Sequence, residues 1–305
     1  MVRDSRLRLN CAVQFHRVTL IGLGLLGGSL GLALRRRYPE AVITGVVRRP
    51  ESKVQALQLG VVNEVTTEME TAVTDADLIF LCTPVGQMRP LAQQMLAHVR
   101  RESVVTDVGS AKADVVRDLD ALFETRGVHF VGGHPMAGGE QMGMSAARVD
   151  LFNGAICVVT PTARSNREAV NCVAQLWRSF GSRVLEMDPI QHDLLVGRSS
   201  HLPHIAAAAL AGLVLSPGAP PEQSTLCASG FRDTTRIASG SPEMWRDILL
   251  ANRGAVAGAI QELMDELARV RMAVTTGDGD QLEAFFTAAK ERRDRWLFRH
   301  PVDGG

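Results

Sequence analysis

The chain has 305 residues, of which 46% are hydrophobic, and this globular composition argues against extended disorder. Its 33 Lys and Arg residues balance 33 Asp and Glu residues, so it lacks the net positive charge expected for non-specific nucleic-acid binding. The five cysteines include no C-x-x-C pair and are odd in number, which argues against a disulfide framework or a structural zinc site. Reduced thiols favour a cytoplasmic protein.

Two stretches without charged residues, 18–34 and 205–221, could be mistaken for membrane spans. The first contains five glycines and the second ends in Pro and Gly residues. A transmembrane helix needs about 20 consecutive apolar residues. We therefore interpret both stretches as buried elements and expect no membrane partner.

Residues 17–187 alternate short apolar runs with amphipathic segments. The predicted strands are 17–22, 42–47, 78–82, 104–107, 128–131, 155–159 and 183–186. The predicted helices between them include 52–59, 88–99, 113–123 and 168–180. Repeated strand–helix alternation with β-branched runs predicts a doubly wound, mostly parallel sheet covered on both faces.

From Pro189 onwards the pattern predicts helices only. Residues 189–214 form one apolar helix in this interpretation. Ser241 and Pro242 then provide an N-cap and a first helical residue, and apolar positions recur every three or four residues as far as Val274. A last helix is predicted from Asp280, which forms a capping-box pattern with Glu283.

These patterns predict an α/β domain over residues 1–187 and an all-helical domain over residues 188–305. The long helix that begins at Pro242 would contain about 33 residues and span about 50 Å. That is longer than so small a domain needs. We therefore expect a homodimer formed through the helical half, the alternative being a helix that lies across its own domain.

A glycine-rich loop follows the first predicted strand and opens a helix. It reads Gly22-Leu23-Gly24-Leu25-Leu26-Gly27, the G-x-G-x-x-G pattern in its expected context. The first glycine permits a tight turn, the second lets the backbone approach a pyrophosphate, and the third allows close helix–strand packing. We predict a dinucleotide site that includes Gly22, Gly24, Leu25, Leu26 and Gly27.

The end of the second strand indicates which dinucleotide binds. An acidic residue about 20 positions after the glycines would hold the ribose 2′-hydroxyl of NAD. Here that position is Val47, followed by Arg48 and Arg49, which could bind a 2′-phosphate. The pattern favours NADP slightly, and NAD remains open if both arginines are only solvated. Thr83, Pro84 and Asp107 lie at the ends of two later strands and are predicted to line the same crevice.

Three polar segments contain candidate catalytic or substrate-binding residues. His134 stands among glycines after a strand, where an imidazole can accept a proton near neutral pH. Ser200, His201 and His204 lie in an apolar helical stretch, and the two imidazoles share a helix face; a third metal ligand is not evident, so a substrate pocket is favoured over a metal site. Arg236 could hold a substrate carboxylate, although a plain surface loop fits its spacing equally well.

Taken together, these residues resemble the prephenate/arogenate dehydrogenase family of tyrosine biosynthesis. The matching segments occur in the same order from residue 17 onwards. They are 22–29, 106–112, 132–138, 192–193, 200–204, 231–236 and 244–248. The combination is far more specific than the glycine loop alone.

The resemblance implies a Rossmann domain, an all-α dimerisation domain and an NAD(P)-dependent oxidative decarboxylation. It implies that His134 accepts the substrate's hydroxyl proton and that Ser110 positions that hydroxyl. Arg236 would pair with a substrate carboxylate. Ser200, His201, His204 and Trp245 would line the pocket, with Trp245 supplied by the same subunit or by a second one.

The substrate could be prephenate, giving 4-hydroxyphenylpyruvate, or arogenate, giving tyrosine. The chain differs from some relatives at Ser229, where they have glycine, and its end at Gly305 leads us to expect no regulatory domain or fused chorismate mutase. Two other classes remain as alternatives. A β-hydroxyacid-type dehydrogenase would need a catalytic lysine, for which only Lys290 is available in the C-terminal half. A non-catalytic dinucleotide sensor would not need His134, Ser110 and Arg236 together.

Overall fold

A computed structural model of the chain describes residues 15–139 and 141–299. The chain divides into two compact units, one extending to Arg253 and one beginning at Gly254. The first unit contains a single eight-stranded sheet and the helices that cover it. The second consists of most of α12 (Arg253–Thr276) together with α13 (Gly279–Arg299).

The sheet has the strand order β3-β2-β1-β4-β5-β6-β7-β8. Neighbouring strands are parallel except for β6 and β7, which are antiparallel. The strands are β1 (Arg17–Ile21), β2 (Val42–Val46), β3 (Glu64–Thr66), β4 (Leu78–Leu81), β5 (Val104–Asp107), β6 (His129–Pro135), β7 (Ile156–Thr160) and β8 (Arg183–Glu186). The predicted mostly parallel α/β sheet followed by helices is confirmed.

Helices lie on both faces of the sheet because its central strands bury side chains on both sides. Leu78 and Phe80 of β4 face one apolar core, and Ile79 and Leu81 face the other. The helices associated with the sheet are α1 (Leu25–Arg37), α2 (Glu51–Gln58), α3 (Met69–Val73), α4 (Val85–Met95), α5 (Ala113–Glu124) and α6 (Arg167–Ser179). Full burial of β4 is typical of a doubly covered parallel sheet.

The strand order reverses direction between β1 and β4. The chain moves outward from β1 to β2 and β3, then returns to place β4 on the other side of β1. The carboxyl ends of β1, β4, β5 and β6 therefore meet at one edge of the sheet. In open α/β sheets this is where ligands bind.

The remaining helices of the first unit follow β8. They are α7 (Pro189–Val196), α8 (Leu202–Val214), α9 (Pro221–Thr225), α10 (Ser229–Thr235) and α11 (Pro242–Ala251). Helix α7 packs against α5, and α11 packs against α4. None of the helices in the described part of the chain is long and apolar enough to cross a membrane.

Two helix predictions were wrong in detail. Residues 189–214 are interrupted by a π-helical turn, Gly197–His201, which ends two residues before Pro203. Pro203 has no N–H for a regular helical hydrogen bond. The predicted helix from Pro242 to Val274 breaks at Asn252, which leaves helical geometry and uses its side chain for tertiary hydrogen bonds.

Candidate active site

The glycine loop has the geometry that a dinucleotide cradle requires. Gly22 has φ +96°, a conformation that favours glycine, and a Cβ on Gly27 would lie 2.0 Å from the carbonyl oxygen of Gly22. Gly24 is the N-cap of α1 and has no heavy atom within 4 Å of a Cβ position. Leu25 and Leu26 begin the helix and are half-buried. The N–H groups of this helix end are left without a side-chain cap, as an anion site requires.

The end of β4 provides a polar group beside this loop. The Oγ1 atom of Thr83 is buried without a hydrogen-bond partner among the described residues. Its methyl group lies 3.1 Å from where a Cβ on Gly22 would stand, and the next residue, Pro84, is the N-cap of α4. An unsatisfied hydroxyl at a glycine-lined cradle fits a bound dinucleotide.

The end of β2 has no carboxylate, as the sequence indicated. Val47 is buried, whereas Arg48 and Arg49 are exposed directly after it. Neither guanidinium forms a side-chain hydrogen bond or an ion pair within residues 15–139 and 141–299.

Asp107 has a different environment from the one predicted for a residue that lines the crevice. Its carboxylate is fully buried, forms an ion pair with Lys112, and accepts hydrogen bonds from the N–H groups of Gly109 (2.8 Å) and Gly133 (3.1 Å). It thus joins the loop after β5 to strand β6. These contacts indicate support of this loop and strand rather than direct contact between the carboxylate and a cofactor.

His134 lies near the end of β6 in a chain of three hydrogen-bonded side chains. Its Nδ1 lies 2.8 Å from Nε2 of His192, and Nδ1 of His192 lies 2.8 Å from Oδ1 of Asp193. All three residues are buried. The Nε2 atom of His134 has no hydrogen-bond partner in the part of the chain that the structure describes.

Burial lowers the pKa of His134 well below its usual value, and the neighbouring His192, Lys112 and His201 lower that pKa further. His134 is therefore neutral at pH 7. A neutral imidazole with an unpartnered nitrogen can accept a proton, which a protonated one cannot.

His201 is completely buried at the end of the π-helical turn. Burial lowers its pKa to about 4. Its Nδ1 lies 3.2 Å from the side-chain nitrogen of Asn252, which also donates to the carbonyl oxygen of Asp193 at 2.8 Å. Because the Asn252 amide group donates, His201 accepts through Nδ1 and carries its hydrogen on Nε2. That Nε2 is buried without a hydrogen-bond partner among the described residues, close to the backbone of Ser110.

The other pocket residues gather around His201. The ring of Trp245 lies against that of His204 with centroids 3.8 Å apart and a tilt of 31°, and it meets His201 edge-on at 6.1 Å. His204 Nδ1 donates to the carbonyl oxygen of Ser200 at 2.9 Å. Trp245 thus contacts histidines of its own chain. Together these contacts place Ser110, Ser200, His201, His204 and Trp245 in one cluster.

Arg236 is exposed and begins the short 3-10 segment Arg236–Ser239, which packs against α8. The helix that carries His204 therefore supports the arginine. Lys290, the residue that a β-hydroxyacid-type mechanism would use, is exposed and pairs with Asp294 at 2.7 Å. No feature of Lys290 favours a catalytic role.

Four residues of this site received no individual role from the sequence, although the matching segments 106–112 and 192–193 include three of them. Lys112, His192, Asp193 and Asn252 are all buried and all belong to the hydrogen-bond network. The adjacent pair His192-Asp193 in an otherwise apolar helix was a usable signal, since such residues are rarely buried without partners. Asn252 gave no signal, because its position fits the periodicity of a continuous helix.

The family model described as "Prephenate dehydrogenase, nucleotide-binding domain" matches residues 30–186, and the one described as "Prephenate dehydrogenase, dimerization domain" matches residues 188–288. A prephenate dehydrogenase of Bacillus subtilis is 38% identical over 91% of this chain and 75% of its own length. A cyclohexadienyl dehydrogenase of Zymomonas mobilis is 31% identical over 92% of this chain and 95% of its own length.

Solved structures agree with these matches. The prephenate dehydrogenase of Aquifex aeolicus, crystallised with hydroxyphenyl propionate and NAD+, has a TM-score of 0.87 and 32% identity, covering 93% of this chain and 99% of its own. The arogenate dehydrogenase of Synechocystis has a TM-score of 0.79 and 29% identity, covering 92% of this chain and 99% of its own.

Proposed function

The chain belongs to the prephenate dehydrogenase family and is an NAD(P)-dependent dehydrogenase, and we propose that it oxidises and decarboxylates prephenate to 4-hydroxyphenylpyruvate. The observation that carries this proposal is the neutral, buried His134 at the ligand-binding edge of the sheet, whose Nε2 has no hydrogen-bond partner among residues 15–139 and 141–299. This reaction needs one proton acceptor at that place.

The proposed reaction follows from the chemistry of the substrate. The C4 atom of prephenate carries a hydroxyl group and a hydrogen. When bound, the nicotinamide supplies the acceptor for the hydride from C4. The hydroxyl proton moves to Nε2 of His134 as C4 becomes a carbonyl carbon. The ring carboxylate then leaves as CO2, its electron pair completes the aromatic ring, and the oxygen regains a proton as a phenol.

Binding of a dianionic substrate requires a cation, and the site restricts which residue provides it. His134 and His201 are neutral at pH 7 because burial lowers both pKa values. Lys112 is fully buried in its ion pair with Asp107. We therefore assign the substrate carboxylate to Arg236, whose guanidinium can bind a carboxylate with two hydrogen bonds.

The pocket residues then take separate roles. Ser110 positions the substrate hydroxyl against His134. His201 offers a buried Nε2–H that has no hydrogen-bond partner in the described part of the chain and that can donate to a substrate oxygen. Ser200, His204 and Trp245 form the wall beside it. In this account residues 188–305 provide the substrate-binding helices and the homodimer contact, in line with the matched dimerization-domain model.

The cofactor cradle comprises Gly22, Gly24, Gly27 and the Thr83 hydroxyl, with the pyrophosphate at the N-terminus of α1. We propose NADP as the preferred form, because Arg48 and Arg49 are exposed and no carboxylate follows β2. Changing both arginines to Gln would then lower kcat/KM for NADP about tenfold or more while leaving that for NAD unchanged.

The test is an assay of reduced nicotinamide absorbance with four combinations: prephenate or L-arogenate, each with NAD or NADP. We expect the highest kcat/KM with prephenate and NADP. Preference for arogenate would assign the substrate to the amino form, a possibility that the named cyclohexadienyl and arogenate relatives support. Absence of turnover in all four, from folded protein that binds a dinucleotide, would overturn the proposal in favour of a dinucleotide sensor.

A further inference from the structure

We propose that Asp193 and His192 are positioning residues that hold His134 as its Nδ1–H tautomer and thereby leave its Nε2 free to accept the substrate proton. This inference deepens the proposed function and rests on it for the role of His134. It concerns how the protein prepares the base, and neither His192 nor Asp193 is expected to touch the substrate.

Asp193 determines which atoms donate and which accept in the hydrogen bonds that link Asp193, His192 and His134. Its Oδ1 accepts from the backbone N–H of Lys112 at 2.8 Å, and its Oδ2 accepts from the N–H of Ala113 at 2.8 Å. Both donors lie at the N-terminus of α5, which favours a negative charge. The side chain of Asp193 is 5% exposed, so these donors hold an ionised carboxylate inside the protein.

The carboxylate then determines the tautomer of His192. An ionised carboxylate only accepts hydrogen bonds, so His192 must donate to it through Nδ1–H at 2.8 Å. With its hydrogen on Nδ1, His192 presents the lone pair of Nε2 to its other neighbour. Because that atom lies 2.8 Å from Nδ1 of His134, His134 must donate through Nδ1–H. The same reasoning leaves the lone pair of His134 on Nε2.

Other charged and titratable groups around His134 do not compete for these atoms. Lys112 is bound to Asp107, and His201 is bound through Nδ1 to Asn252. Asn252 also donates to the carbonyl oxygen of Asp193 and so holds in place the backbone of the residue at which this hydrogen-bond chain begins. The three side chains thus form a one-directional chain from a helix end to the proposed base.

The substitution Asp193→Leu should reverse this chain. Leu offers no acceptor for Nδ1–H of His192, so His192 would carry its hydrogen on Nε2 and donate to His134. His134 would then accept through Nδ1 and carry its own hydrogen on Nε2. Reversal of a tautomer by an Asp-to-Asn change lowers kcat greatly in the serine-protease triad, which rests on the same logic. We expect kcat to fall about 100-fold or more here, with KM for the substrate and Kd for the dinucleotide changed less than about threefold.

The experiment combines kinetics with ¹⁵N NMR of the histidine rings, using a His134→Asn sample to assign the His134 signals. In the wild-type protein we expect a protonated Nδ1 and an unprotonated Nε2 on His134, and the reverse in Asp193→Leu. Asp188→Leu is the matched control, since Asp188 caps the same helix through Ile190 and Gln191 outside this hydrogen-bond chain, and it should leave both readouts unchanged.

A second pair of variants covers the case in which Asp193→Leu does not fold. His192→Gln keeps an acceptor near the position of Nε2 and should retain most of kcat, whereas His192→Leu removes it and should lose kcat. A wild-type His134 that is protonated on Nε2 at pH 7.5 would overturn the inference, as would equal kcat in the Gln and Leu variants. These tautomers can be read without turnover, so failure of the proposed reaction would appear separately in the wild-type assay.

Discussion

The Nδ1 atom of His134 on β6 lies 2.8 Å from Nε2 of His192 on helix α7. The contact joins the segment that carries the proposed base to the first of the helices that follow the sheet. It also leaves only one nitrogen of His134 available to a ligand. The following predictions depend on this arrangement and on the cradle beside it.

The substitution His134→Asn should lower kcat about 100- to 10,000-fold, the usual contribution of a general base. Asn is smaller and cannot accept a proton, but it keeps polar groups in the buried site. Dinucleotide binding, measured by isothermal titration calorimetry, should be unchanged. Retention of wild-type kcat would assign the base to another residue.

The pH dependence of kcat/KM should report the protonation of His134. Because burial beside His192, Lys112 and His201 lowers the pKa of His134, kcat/KM should stay constant through neutral pH. It should fall tenfold per pH unit only below that pKa, well under 6.5. A profile that falls with a midpoint above 6.5 would contradict this account, as would an unchanged acid limb in His134→Asn.

The glycine loop offers a pair of variants that separate folding from binding. Gly27→Ala places a Cβ 2.0 Å from a backbone oxygen and should destabilise the protein by about 1–3 kcal/mol as well as abolish dinucleotide binding. Gly24→Ala meets nothing within 4 Å and should leave the melting temperature unchanged. It should still weaken dinucleotide binding about tenfold, because its methyl group stands where the pyrophosphate approaches. Equal Kd in Gly24→Ala and wild type would place the pyrophosphate elsewhere.

Arg236 should act on substrate binding rather than on the chemical step. Arg236→Gln should raise KM about 10- to 100-fold, because a charge-assisted hydrogen bond is lost. Arg236→Lys should recover only part of this loss, since a lysine cannot form the planar pair. Arg232→Gln serves as a control on the exposed surface of α10. An unchanged KM in Arg236→Gln would remove the arginine from the site.

His201 should make the protein sensitive to acid. Its pKa is about 4 in the folded chain, below the ordinary value of 6.5 expected when unfolded. Between these values the unfolded chain binds a proton that the folded chain does not, so stability falls as the pH drops from 6.5 towards 4. The loss is up to about 3 kcal/mol.

Urea unfolding of wild type and His201→Gln at pH 7.5 and 4.5 measures this loss. The variant should lose less stability between the two pH values than the wild type, whereas His98→Gln, at an exposed histidine, should lose as much as the wild type. Equal losses in wild type and His201→Gln would show that His201 does not resist protonation.

The sequence predicted the parts of this molecule that depend on local pattern. Apolar runs located seven of the eight strands, and the glycine spacing located the tight turn at Gly22. The strand β3 was missed because it has only three residues, and none of them is buried. The break at Asn252 was missed because it results from hydrogen bonds to Asp193 and His201, which are 59 and 51 positions away in the chain.

The candidate site likewise contains residues that the sequence predicted and contacts that it did not predict. Motifs indicated the individual residues His134, His201 and Arg236, but not the contacts between them. The hydrogen-bond chain from Asp193 to His134 joins residues 59 positions apart through a fully buried His192. Such partnerships are set by tertiary packing, so only the folded chain reveals which nitrogen of His134 is free.

The most direct test of the central claim is the stoichiometry of the reaction with prephenate. Wild-type protein, prephenate and NAD or NADP should yield one CO2 for each reduced dinucleotide, measured by absorbance and by trapped ¹⁴C-carbonate from ring-carboxylate-labelled substrate. His134→Asn should lose both products to the same degree. Reduced dinucleotide without CO2, or no reduction by folded, dinucleotide-bound protein with either cofactor, would contradict the assignment of an oxidative decarboxylation.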